Sequence, residues 1–96
     1  MKIQILTLAE RDLALGVSFY EDQCAGLGDY FLDSLSSDID SLMLYAGVHR
    51  KTFGYYRLLS RVFPFAVYYK LEGNLVRVFR VLDCRQDPRK LKEALE

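Results

Sequence analysis

Apolar and polar positions alternate from Lys2 to Leu6, with Ile3 and Ile5 on one side, which is the period of a strand half-buried against a core. The period then lengthens. Ala9, Leu13, Val17, Tyr20 and Cys24 recur at steps of three and four, the apolar stripe of an amphipathic helix, with Cys24 as a small core residue. Thr7 followed by Glu10 has the spacing of a capping box, so the helix is predicted to start there, with Gly16 a minor cost inside it. Ala25, Gly26 and Gly28 break the pattern. Leu27, Phe31, Leu35, Ile39, Leu42 and Ala46 build a second stripe, Asp29, Asp33 and Asp40 fall off it, and Gly47 is placed to end it. So short a connection predicts two antiparallel helices lying side by side.

After a polar connection at Val48 to Thr52, three runs rich in Tyr, Phe, Val and Leu read as strands: Phe53 to Arg61, Phe65 to Leu71 and Leu75 to Leu82. Glu72-Gly73-Asn74 is a hairpin turn between the last two, and Pro64, which cannot donate to a central ladder, separates the first two. Asp87-Pro88 reads as the N-cap and first position of a short basic helix or tail from Arg89 to Leu95. Ninety-six residues are too few for two cores, so residues 1–96 are expected to form a single domain.

Composition narrows the class without naming a function. With 51% hydrophobic and 27% charged residues the chain reads as a globular protein, and its longest apolar run, Val62 to Tyr69, is far too short to span a bilayer. Met1 to Leu8 runs straight into Glu10, Arg11 and Asp12, so no signal peptide is expected; a cytoplasmic location without membrane contact is. Cys24 and Cys84 stand far apart, which indicates neither a disulfide framework nor a zinc site. The acidic residues of the first half show no metal-ligand spacing, and no cofactor motif occurs, so neither metal nor cofactor is expected.

Charge changes the picture more. Thirteen basic and thirteen acidic residues cancel, yet Met1 to His49 holds two bases against eight acids and Arg50 to Glu96 eleven against five, a split of −6 and +6. Such a molecule is predicted to have an acidic side and a basic side, the latter suited to an anionic partner, although acidic helices that solvate themselves would give the same split. Arg57 and Arg61, four apart on a predicted strand and about 13 Å end to end, would share one face. Arg77 and Arg80, three apart, would point to opposite faces, and one of them would join Arg57. With Arg85 these arginines make a candidate patch for phosphate or an acidic peptide; singly, each is as well explained as an edge charge that keeps strands from pairing. Cleaving RNA would further need a general base and a general acid. His49 lies in a connection beside Arg50 and Lys51 with no Ser, Cys or carboxylate next to it, and no catalytic residue is identified. Tyr55, Tyr56, Tyr68 and Tyr69 could stack bases, or simply be strand formers with their hydroxyls at the surface.

The succession Tyr56-Arg57-Leu58-Leu59, then Phe63-Pro64-Phe65-Ala66-Val67-Tyr68-Tyr69, then Val76 to Leu82 and Arg85-Gln86-Asp87-Pro88 resembles the RelE/ParE superfamily of toxins over nearly the whole chain, and Gly28-Asp29-Tyr30-Phe31-Leu32-Asp33 is similar to its ParE branch. The resemblance implies an α+β fold: an N-terminal strand, an antiparallel helical hairpin packed on an antiparallel β-meander, and a short C-terminal helix or tail. It implies the toxin of a type II toxin-antitoxin pair, cytoplasmic, neutralised by a cognate antitoxin protein. For the ParE branch the implied target is DNA gyrase, with Arg57, Arg61, Arg80 and Arg85 as the residues expected to bind partner or target. Asp83-Cys84-Arg85-Gln86 stands where that branch usually has His-Gly-Arg-Arg. The RelE branch, a ribosome-dependent mRNA endonuclease, is the alternative. Against it, Leu59 and Ala66 fall where that branch tends to carry Lys and Arg, no Tyr follows Tyr69, and no His follows His49. A degenerate toxin that keeps only antitoxin binding is a third reading.

Overall fold

The structure, a computed structural model, describes residues 1–96. Its elements in chain order are β1 (Lys2–Ile5), α1 (Thr7–Gln23), α2 (Leu27–Asp40), α3 (Leu42–Tyr45), β2 (Lys51–Thr52), β3 (Tyr55–Leu59), β4 (Phe65–Glu72), β5 (Leu75–Asp83) and α4 (Pro88–Leu95). The strands make one sheet in the order β1-β5-β4-β3-β2; β1 runs parallel to β5 and every other pair is antiparallel. The expected α+β arrangement is therefore present. α1 and α2 pack on one face of the sheet, and α4 lies against the other.

The main core lies between the helical pair and the sheet. Ala9, Leu13 and Tyr20 of α1 meet Phe31, Leu35 and Ile39 of α2, Leu42 of α3, and Val67, Tyr69, Val76, Val78 and Val81 of β4 and β5. Gly16 is more than a tolerated interruption: a Cβ there would lie 2.5 Å from the Phe31 ring, so its absence makes the seat for that ring. At the start of α2 the Glu21 carboxylate accepts from the backbone N–H groups of Gly26 (3.0 Å) and Gly28 (3.0 Å), an anion on the positive end of the helix.

Several local expectations change. Thr7 is not an N-cap: β1 runs almost directly into α1, Leu6 still donates to the Val78 carbonyl, and no side chain caps the helix. Cys24 is exposed, because α1 has ended by then. The second helix breaks at Ser41, whose hydroxyl donates to the Asp38 carbonyl (2.5 Å), a side-chain bond that competes with the helical ladder. Lys51–Thr52 is a short strand, and Phe53-Gly54 turns it into β3 with φ of 54° and 84°. Both central residues at positive φ is what a tight hairpin asks for, and only the glycine adopts it without strain. No helix is long and apolar enough to cross a membrane.

Candidate functional site

The sheet face opposite the helical pair is the candidate site. Tyr68 lies across from Arg57 in β3 and from Arg80 in β5, and all three point to this side. Leu91 and Leu95 of α4 cover only part of it, over Ala66, Tyr68 and Leu82. Tyr55, Arg57, Arg77 and Phe79 remain half-buried there, with Lys70 and Leu59 exposed. The Lys70 ammonium sits 4.7 Å from the Tyr55 ring centre and 5.5 Å from that of Phe79. Arg77 Nη1 donates to Glu72 (3.2 Å), while its Nε is buried without an acceptor.

Arg77 and Arg80 share this face, contrary to the expectation that they diverge. The register between β4 and β5 shifts at Tyr68/Tyr69, so Tyr68 pairs Arg80 while Tyr69 pairs Val78, and the bulged Phe79 restores Arg80 to the side of Arg77. Arg57 is the predicted arginine best placed for a partner. Its Nε donates to the Tyr68 hydroxyl (3.2 Å), the Cys84 thiol lies close to the same guanidinium, and no carboxylate of the chain pairs with it. Burial works against its charge, but Tyr68 and the nearby Cys84 outweigh that and hold its pKa above the ordinary value.

The other three predicted arginines are not brought to this patch as free cations. Arg80 is a fastener. Its Nε and Nη2 donate to the two carboxylate oxygens of Asp12 (2.7 and 2.9 Å), and its Nη1 donates to the Ala94 carbonyl (3.0 Å) at the end of α4. The hydrogen bonds to Asp12 raise its pKa. Asp12 also accepts from the Val81 N–H (2.9 Å), on the stretch of β5 beyond the end of β1. Arg61 does not share a face with Arg57, because β3 ends at Leu59 and the chain bends through Ser60 to Pro64. It lies on the helical side, its Nε 3.8 Å from Asp38 of α2. Arg85 folds back on Asp83, donating from Nε (3.0 Å) and Nη2 (2.7 Å), which raises the pKa of the arginine and lowers that of the aspartate.

The tyrosines are not a stacking platform either. Tyr68 and Tyr69 are fully buried, and Tyr56 stacks on Tyr69 on the helical side, which leaves Tyr55 on the basic face. The Tyr69 hydroxyl accepts from the Gly47 N–H (2.9 Å) and meets Nδ1 of His49. Burial holds the imidazole below its usual pKa and the Tyr69 phenol above its own. A histidine whose folded pKa lies below the unfolded value of about 6.5 contributes stability that is complete above that value and is lost as the pH falls through it toward the folded pKa. The wild type is therefore expected to lose more stability than His49→Asn between pH 7.5 and 5.5 in urea titrations, because asparagine keeps a hydrogen-bonding group near Nδ1 and does not titrate. Parallel pH profiles for the two proteins would show that the imidazole is not coupled to folding.

Asp12 and Asp38 were the residues that reading the sequence passed over. Both are nearly fully buried, at 8% and 5% exposure. The signal was available: Asp12 stands three residues after Ala9 and four before Gly16, and Asp38 three after Leu35 and four before Leu42, so each lies on the apolar stripe of its helix.

No family model and no curated protein matches the sequence. Among solved structures the chain is similar to one from P. aeruginosa described as "Chromosomal ParDE TA system", with a TM-score of 0.76 at 15% identity, over 84% of this chain and 92% of that one. The likeness establishes a shared fold: strand, helical hairpin, sheet and C-terminal helix follow the ParE-like plan.

Proposed function

We propose that a chain with this ParE-like fold is the toxin of a type II toxin-antitoxin pair, neutralised by a cognate antitoxin and acting on DNA gyrase by binding it, not by cutting RNA. The observation that carries this reading is the basic sheet face with Arg57 at its centre, on a fold shared with a chain of a ParDE system. Arg57, Lys70 and Arg77 offer cations there, and the buried Arg77 Nε lacks the acceptor that an acidic segment would bring. The acidic α1 and α2 lie behind the sheet, which orients an anionic partner toward this side. His49, the one imidazole, is engaged with Tyr69 on the other face, away from Arg57, which favours binding over acid–base cleavage.

Expression of the chain without its antitoxin tests the reading. Growth arrest with filamentous cells, an induced DNA-damage response and continued bulk translation is expected, together with inhibition of supercoiling by purified gyrase. Prompt cleavage of ribosome-bound messages would replace this reading with the RelE-like endonuclease, and undisturbed growth would mean a degenerate toxin that retains antitoxin binding alone.

A further inference from the structure

The Asp38 carboxylate is buried without a hydrogen bond. Its Oδ2 has no partner and Oδ1 is 3.8 Å from Arg61 Nε, beyond hydrogen-bond reach. The arginine is 84% exposed and so weakly held, while the carboxylate is 5% exposed. Buried carboxylates are ordinarily paired or hydrogen-bonded, because a desolvated charge without a donor is costly. Asp38 also lines two adjoining clefts of about 240 and 250 Å³ between α2 and the bend after β3, both shared with Arg61. Hydroxyl-bearing Ser34, Ser37 and Ser41 line them with it, and Asp33 adds a second acid to the lining of one.

We propose that this cleft receives an arginine or lysine side chain of a protein partner, with Asp38 as the anion that pairs with it and Arg61 as the resident cation that gives way. The chemistry of the cleft selects a hydrogen-bonding cation. No group of three His, Cys, Asp or Glu side chains is available to hold a metal ion, whereas one desolvated carboxylate in clefts also lined by Ser34, Ser37 and Ser41 suits a guanidinium or an ammonium. A protein source is favoured by the rim. Tyr30, Tyr45 and Val62, each more than half exposed, flank the clefts and give an aromatic and apolar border around a central charge, the composition of an interface hot spot. This site is on the helical side, apart from the basic sheet face, and would accept the opposite charge.

The test is an amide NMR titration of the full chain with butylguanidinium, with neutral butylurea as the isosteric control. Saturable shifts at Ser37, Asp38 and Ser41 are expected with the cation and none with the urea. Asp38→Asn, which keeps the side-chain shape and should melt no lower than wild type, is expected to weaken the cation about tenfold or more. Arg61→Ala removes the competitor and is expected to tighten it about two- to fivefold. A blocked tripeptide with arginine between two leucines should bind more tightly than butylguanidinium through the apolar rim. Absent shifts, equal shifts with butylurea, or an unchanged affinity in Asp38→Asn would overturn the site; a tripeptide no tighter than butylguanidinium would overturn the protein source. None of these titrations involves toxicity or gyrase, so their failure is distinct from a failure of the toxin reading.

Discussion

Asp12→Ala is expected to lower the unfolding free energy by about 3–5 kcal/mol, the cost of breaking a buried ion pair by removing one partner. The carboxylate, 8% exposed, takes both Nε and Nη2 of Arg80 and the backbone N–H of Val81, so its loss strands a guanidinium and a strand amide together. The consequence spreads, because the same Arg80 holds the Ala94 carbonyl and thereby the end of α4. Against a typical domain stability of about 5–15 kcal/mol this is a large fraction. Urea denaturation of wild type, Asp12→Asn and Asp12→Ala measures it. Asn retains an acceptor for one donor and should fall between the other two; an Asp12→Ala midpoint equal to wild type would mean the fastener adds nothing to the fold.

Arg57→Ala is expected to weaken binding of the proposed antitoxin or gyrase target by about 2–5 kcal/mol, the range for removing one member of a desolvated charge pair. Stability should fall by no more than about 1 kcal/mol, since the loss inside the chain is a neutral hydrogen bond to the Tyr68 hydroxyl and a weak contact with the Cys84 thiol. Arg85→Ala is the matched control: its guanidinium is spent on Asp83 and lies past the end of β5, away from the patch, so affinity should not move. Calorimetric titration beside a thermal melt separates the two effects. Full affinity in a folded Arg57→Ala protein would remove the basic face from the mechanism.

The large elements were legible because their signals are periodic. Phe31, Leu35, Ile39 and Leu42 announce a helix face by spacing alone, and that face is the one buried. The site was harder to read, for identifiable reasons. Counting residues along a strand assumes an unbroken register, and the bulge at Phe79 shifts every later side chain by one, which reunites Arg77 with Arg80. The same counting carried Arg61 onto the face of Arg57, although β3 had ended two residues earlier, ahead of Pro64. Arg80 looked like a surface cation because its partner is 68 residues away in the chain, and Asp12 entered only as one acid in a charge count. Charge counts register neither pairing nor depth. The −6/+6 split counts Asp12 and Asp38 with the rest, although both lie buried inside the fold.

The parallel pairing of β1 with β5 sets Lys2 beside Leu75. A contact of that sequence separation closes a long loop, whose entropy must be met before the strands reward each other, so the sheet belongs among slower-forming, nonlocal topologies. During synthesis the helical hairpin emerges first and can pair its stripes early, while its apolar underside waits for β4 and β5. The first strand can take its place only after the last one has left the ribosome, and Asp12 meets Arg80 at the same late step. The nascent chain thus carries its helical hairpin well before it carries the basic face, and that face comes into being only once β5 has emerged.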